Sequence, residues 1–243
     1  MSKSHNFRVA CIQMTTGTRI SENLSVLENR LHEAKEKGAD LIVTPEQTLL
    51  MAKNKDSLFE NISYADKDFG LRELRVIVKR VGAFVIVGSI SIKYNEHLAL
   101  NRTYAFNPDG DIIGFYDKIH MFDVSLSDGE EYHESKIYQP GKKLSLVSLP
   151  WCDIGLTICY DLRFPELYRK LAQKGASLIV VPSAFTVTTG EGHWHTLLRA
   201  RAIETGCFIL APAQVGKHEN GRVSYGHTII ISPWGEIISE IKD

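Results

Sequence analysis

The 243-residue chain has only four cysteines, Cys11, Cys152, Cys159 and Cys207. They are scattered, with no Cys-x-x-Cys pair and no zinc-ligand spacing, which argues against a disulfide framework or a structural metal. Excess charge of one sign is also lacking. With 28 Lys and Arg against 29 Asp and Glu, the formal net charge is −1, so nothing points to nucleic acid or an anionic membrane as partner. No apolar run reaches the roughly 18 residues a membrane span needs. The opening Met1-Ser-Lys-Ser-His-Asn-Phe-Arg8 has no apolar core and does not read as a signal peptide. Linker-like and low-complexity stretches are missing too. What is there is ordinary for a soluble globular protein, 44% hydrophobic and 23% charged. It is long enough for a substantial core and reads as one domain over 1–243, with the cytoplasm as default compartment.

Strands and helices alternate along the chain. Apolar stretches at 7–14, 39–46, 83–91, 144–149, 153–158, 176–183 and 207–214 predict buried strands. Between them, Leu24, Leu27, Leu31 and Ala34 recur at helical spacing behind a Ser21 cap, and Gly38 closes that helix. Further helices are predicted over 67–81, 165–174 and 192–205, the last with Leu197, Leu198, Ala202 and Ile203 as its inner face. Residues 102–118 read as a hairpin turning at Asn-Pro-Asp-Gly110, and 226–241 as a second hairpin around Pro-Trp-Gly235. Residues 119–143 are polar and without period, as functional loops often are. The stretch Gly38-Ala-Asp-Leu-Ile-Val-Thr-Pro45 is echoed by Gly175-Ala-Ser-Leu-Ile-Val-Val-Pro182. Two halves of similar design suggest two sheets packed face to face with helices outside, an α/β fold.

The chain is organised around residues 152–166. Cys159 falls where a buried strand ends, and Pro165 suits the first turn of the helix that follows. Most free cysteines are small buried hydrophobes. A thiol at a strand-to-helix elbow, beside free N–H groups and the positive end of a helix, instead has a lowered pKa and a means of holding an oxyanion. Such a thiol needs a base and a cation or donor. Glu46 and Lys118 sit at strand ends in the same manner, where α/β proteins place their sites. Taken singly, each reads as well as a surface charge closing a strand.

Thr-Pro-Glu46, Asp-Lys118-Ile-His and Cys159-Tyr-Asp-Leu-Arg-Phe-Pro-Glu together resemble, in kind and order, the three signatures of the nitrilase (carbon–nitrogen hydrolase) superfamily. The resemblance spans nearly the whole chain. It implies a four-layer αββα sandwich and a cofactor-free Glu–Lys–Cys triad. Glu46 is then the general base and Cys159 the nucleophile that forms a thioester. Lys118 and the backbone N–H of Tyr160 stabilise the oxyanion. Glu134, in Tyr-His-Glu-Ser135, matches a second glutamate that members often carry. The segments Pro182-Ser-Ala-Phe185, His193-Trp-His195 and Arg199-Ala-Arg-Ala-Ile-Glu204 are similar to the branch containing omega-amidase and deaminated glutathione amidase, and Ala213-Gln-Val-Gly-Lys-His218 leans to the latter. The implied substrate is a small amide carrying a carboxylate beside a keto group, most simply deaminated glutathione, with 2-oxoglutaramate or 2-oxosuccinamate as the alternative. Arg163 is the candidate for that carboxylate, or else a salt-bridge partner of Asp161 or Glu166. Phe185 and Thr189 shape the pocket by the same resemblance, which also implies a homodimer. Members usually continue with a further strand and tail, so by that comparison the C-terminus reads as short or truncated.

Other residues read more plainly. His193 and His195, two apart on a helix, do not share a face and suggest packing rather than a metal. Arg199, Arg201 and Glu204 suggest ion pairs around the site and across an interface, and Cys11, Cys152 and Cys207 are read as core thiols. Rival functions are an N-carbamoyl amino acid or nitrile hydrolase with the same triad, and an idle scaffold on the same fold.

Overall fold

The computed structural model describes residues 6–125, 129 and 131–242; most of the N-terminal octapeptide and the last residue lie outside this range. Two sheets carry the fold. The first has the order β1 (Val9–Cys11), β2 (Leu41–Val43), β3 (Phe84–Lys93), β4 (Ala99–Phe106) and β5 (Ile112–Asp117). Two short strands, β6 (Asp123–Ser125) and β7 (Glu131–His133), form a separate hairpin. The second sheet is built from β8 (Leu146–Ser148), β9 (Asp153–Leu156), β10 (Leu178–Val180), β11 (Phe208–Ala211), β14 (Thr228–Ile231) and β15 (Ile237–Ile241). Between β11 and β14, β12 (Val215–Lys217) and β13 (Val223–Tyr225) form another small hairpin.

Each main sheet has a parallel trio, β1–β2–β3 and β9–β10–β11, extended by antiparallel strands. The echoed segments become β2 and β10, the middle strands of the two trios. All three residues of each are buried, as strands covered on both faces require. Helices α1 (Ile20–Glu36) and α3 (Phe69–Val81) cover the first sheet through Leu27, Leu31, Leu74 and Val78. Helices α4 (Pro165–Gln173) and α5 (Val187–Thr205) cover the second. The faces between the sheets share one core, in which Leu41, Val43 and Ile86 meet Ile154, Leu156 and Val180. This is the αββα sandwich.

Several local expectations are corrected. Ser21 does not cap α1: the extended backbone ends at Arg19, which caps without its side chain, and Ser21 already lies in the first turn. A seven-residue helix, α2 (Lys55–Asn61), stands where no period was legible, because only Leu58 is buried; the reciprocal Asn54–Ser57 capping box starts it. Helix α5 starts at Val187, capped by Thr186, five residues before Gly192. Gly190 and Gly192 hide its pattern. Its inner face is Trp194, Leu198 and Ala202, and Ile203, one step round the helix, is 57% exposed. The polar stretch 119–143 holds the β6–β7 hairpin and a 3-10 turn, Glu134–Lys136.

Candidate active site

Glu46 lies three residues past β2, and Lys118 directly follows β5. Cys159 opens a 3-10 turn, Cys159–Arg163, after β9. The two sheets bring these strand ends together. Lys118 Nζ lies 3.0 Å from Glu46 Oε1 and 2.9 Å from both carboxylate oxygens of Glu134. The Cys159 thiol donates a hydrogen bond to Glu46. Lys118 is 2%, Glu46 5% and Cys159 8% exposed. Their surroundings fix each group. Glu46 Oε2 accepts the Ala184 N–H at 3.0 Å, and Asn101 Nδ2 reaches Glu46 at 3.0 Å and Glu134 at 3.3 Å. The Phe122 N–H donates to Glu134 at 2.7 Å.

The elbow is held in a costly shape. Cys159 has φ 48°, left-handed for a non-glycine residue. It is fixed there by its own N–H, which donates to Pro182 O at 3.0 Å, and by Asp161. Asp161 accepts from the Ile158 N–H at 2.9 Å, Tyr116 OH at 2.8 Å and the His120 N–H at 3.1 Å, and its Oδ1 lies 2.7 Å from His120 Nδ1. Asp161 is therefore a brace of the elbow rather than a partner of Arg163. The Tyr160 N–H sits in the first turn after the thiol, where helical turns leave donors free.

The electrostatics correct one expectation. Burial, and then the Glu46 carboxylate, push the Cys159 thiol far above its usual pKa; Lys118 and the Ala184 N–H offset only part of this. The positive helix end that would favour a thiolate is outweighed by desolvation and a facing anion. Burial also raises the Glu46 pKa, but Lys118, the Cys159 hydrogen bond and Arg222 bring it below the ordinary value of 4.5. For Lys118, burial is outweighed by Glu134, Glu46 and Cys159, which hold the ammonium form firmly. The resting site is a thiol facing a carboxylate, with a charged lysine between two glutamates.

Above this cluster opens a cavity of about 310 Å³ whose wall includes Glu46, Lys118, Glu134, Cys159 and Arg163. Phe185 and Thr189 line it as well. Arg163 donates from Nη2 to His193 Nδ1 at 3.1 Å and lies over the rings of Tyr160 and Phe185. Residues that sequence reasoning passed over also contribute. Asn101 bridges two carboxylates from inside β4, and Gln214 Nε2 holds the Glu46 carbonyl at 2.9 Å. Arg222 lines the cavity. A polar Asn in an apolar strand was the one legible signal among these.

The chain matches the carbon-nitrogen hydrolase family over residues 8–243. It belongs to the carbon-nitrogen hydrolases. The hydrolase is 41% identical over 241 residues to a deaminated glutathione amidase of Yersinia enterocolitica, covering 98% of this chain and 84% of that protein. It is 34% identical over 236 residues to omega-amidase NIT2 of Danio rerio, covering 96% and 83%. Among solved structures, Saccharomyces cerevisiae Nit3, a member of branch 10 of the nitrilase superfamily, superposes with a TM-score of 0.85 at 26% identity, over 96% of this chain and 85% of that one. The hydrolase therefore acts on non-peptide carbon–nitrogen bonds of a small molecule, in an amidase branch of its family. No helix among its described residues is long and apolar enough to cross a membrane.

Outside the cavity, the hydrolase gathers His195, His227 and Glu240, with one donor atom from each within 4.8 Å of the others. Glu240 Oε1 lies 2.8 Å from His195 Nε2 and 2.7 Å from His227 Nδ1. These three are the one set of metal-competent donors found among the described residues, and they satisfy one another as a hydrogen-bonded clasp. His193 turns instead to Arg163. Arg201 pairs with Glu204 at 2.8 Å and donates to Leu162 O at 2.9 Å, whereas Arg199 donates to Gly235 O. Cys207 is buried, but Cys11 and Cys152 are only half-buried.

Proposed function

We propose that this hydrolase cleaves deaminated glutathione to 2-oxoglutarate and cysteinylglycine through a Cys159 thioester. The observation that carries the chemistry is the buried Glu46–Lys118–Cys159 cluster, with Glu134 on Lys118, at the base of a cavity holding Arg163. The Cys159 sulfur attacks the amide carbonyl as its proton passes to Glu46. Lys118 and the Tyr160 N–H receive the developing oxyanion. As the tetrahedral adduct collapses, the carbon–nitrogen bond breaks and Glu46 returns the proton to the leaving amine. Glu46 then takes a proton from water, which attacks the thioester, and the second adduct expels the Cys159 sulfur, reprotonated by Glu46. Glu134 keeps Lys118 charged and aimed. Arg163 binds the carboxylate beside the keto group, a bidentate match.

The Danio rerio relative supports a second reading, an omega-amidase acting on 2-oxoglutaramate by the same steps with ammonia as leaving group. Turnover of both substrates by wild type and Cys159→Ala, followed by 2-oxoglutarate release, tests the proposal. Strong preference for deaminated glutathione with an inactive variant is expected. Preference for 2-oxoglutaramate selects the second reading, and an active Cys159→Ala variant removes the mechanism.

A further inference from the structure

Among the described residues, two buried side-chain polar atoms have no hydrogen-bond partner: Asn101 Oδ1 and Arg222 Nε. Asn101 already uses its amide donor on Glu46 and Glu134. Arg222 is different, because its unpaired atom is a cationic donor in a residue that lines the catalytic cavity. A buried donor without an acceptor costs roughly 1–3 kcal/mol, more when charged. Nε itself is closed off, so a ligand in the cavity meets Arg222 where the residue lines the wall. The rest of the guanidinium is anchored: Nη2 donates to Ala184 O, and the group lies 5.8 Å from the Tyr132 ring centroid.

The cavity has a second guanidinium, Arg163, and the two are set apart by aromatic rings. Arg163 lies 5.7 Å from the Tyr160 centroid. Tyr160 meets Phe122 at 5.1 Å, and Phe122 meets Tyr132, the ring facing Arg222, at 4.9 Å. Three rings thus form a wall with an arginine near each end. Ala184 gives its carbonyl to Arg222 and its N–H to Glu46, and Arg222 is close enough to Glu46 to lower its pKa. Arg222 is therefore on the Glu46 side, toward the group that returns a proton to the departing amine.

We propose that Arg222 forms a leaving-group subsite for a carboxylate carried by the departing amine, so that the cavity takes a substrate with a carboxylate at each end of its cleavable amide. This rests on the function proposed above and deepens it. Arg163 holds the keto-acid end, and Arg222 holds the free carboxylate of a short peptide-like amine. A substrate that releases ammonia leaves Arg222 with no carboxylate to hold.

The test compares two substrates, deaminated glutathione and its C-terminal carboxamide, in wild type, Arg222→Gln and Arg222→Lys. Wild type is expected to favour the free carboxylate by roughly 10-fold or more in kcat/KM, the scale of one charge-assisted contact. That preference should collapse toward unity in Arg222→Gln and be partly restored in Arg222→Lys. The difference should lie mainly in KM, as uniform binding predicts. If all three proteins keep the wild-type ratio while turning over both substrates, the subsite is overturned and the proposed function stands. If wild type turns over neither, both are overturned. Equal loss on both substrates in Arg222→Gln, with the acid limb of the pH profile moved, makes Arg222 a tuner of Glu46 and also overturns the subsite.

Discussion

At neutral pH the Cys159 thiol keeps its proton, because burial and the Glu46 carboxylate both raise its pKa. In the proposed mechanism the nucleophile forms only as that proton moves to Glu46, which requires Glu46 to be ionised beforehand. Its pKa is lowered from 4.5. Glu46 is therefore ready throughout the neutral range, and kcat/KM should fall on the acid side only as pH drops through a value under 4.5. A titration of kcat/KM checks this; an acid limb near neutrality would contradict it. Glu46→Gln should cost roughly 10²- to 10⁴-fold in turnover. The same change removes the anion that holds the Cys159 proton, so alkylation of Cys159 by iodoacetamide should reach half-maximum at a lower pH than in wild type. A merely structural role for Glu46 moves the first readout and not the second. The candidate nucleophile, base and lysine were legible because each closes an apolar strand. Their supports were not. Asn101 and Asp161 look like ordinary polar residues until the fold brings them to Glu46 and Tyr116, far away in sequence. The thiol pKa is not legible for the same reason: the elbow is local, whereas the burial that raises the pKa most, and the carboxylate facing it, come from packing against the other sheet.

Elements with a long period were readable, and short ones were not. α3 and α4 begin and end close to where their apolar spacing and Pro165 or Gly82 place them. α2, β12 and β13 have three to seven residues each and bury too little to leave a pattern. The pairing of α5 with β15 was also invisible, since it depends on His195 and His227 converging on Glu240. Burial raises the Glu240 pKa, but hydrogen bonds from His227 and His195 bring it below the usual 4.5. A carboxylate with a depressed folded-state pKa adds stability above its unfolded pKa, and that stability is lost as pH falls through the folded value. The clasp should thus hold β15 at neutral pH and release it only below the ordinary carboxylate range. Glu240→Gln should lower the melting temperature by a few degrees, at roughly 2–4 °C per kcal/mol for a chain of this size. It should also speed amide exchange in β15 more than in β10. Unchanged exchange in β15 would mean that strand pairing with β14 holds it unaided.

The site exists only because the two sheets approach closely, and one glycine sets that approach. Gly88, in β3, donates its N–H to Thr44 Oγ1 at 3.0 Å. A Cβ there would come within 1.9 Å of Thr44 O, 2.4 Å of Pro182 Cβ and 2.7 Å of Pro45 O. Thr44 and Pro45 lead into Glu46, whereas Pro182 belongs to the other sheet and accepts the Cys159 N–H. Gly88→Ala therefore inserts a methyl group between the carrier of the proposed base and the carrier of the proposed nucleophile. Overpacking of this kind costs roughly 1–3 kcal/mol, which corresponds to a melting temperature lowered by about 2–12 °C. Activity should suffer beyond the loss of stability, with kcat falling more than KM rises, because Glu46 and Cys159 shift relative to each other while Arg163 and Phe185 stay together on one sheet. Gly192→Ala supplies the contrast. Gly192 is an exposed position inside α5 where a Cβ meets nothing within 4 Å, so the same substitution should raise the melting temperature slightly, as alanine favours a helix over glycine by up to about 1 kcal/mol. Thermal melts and steady-state kinetics on the two variants separate a general effect of losing a glycine from a specific effect of prising the sheets apart. If Gly88→Ala keeps wild-type kcat at a temperature where it remains folded, sheet spacing does not set the alignment of Glu46 with Cys159.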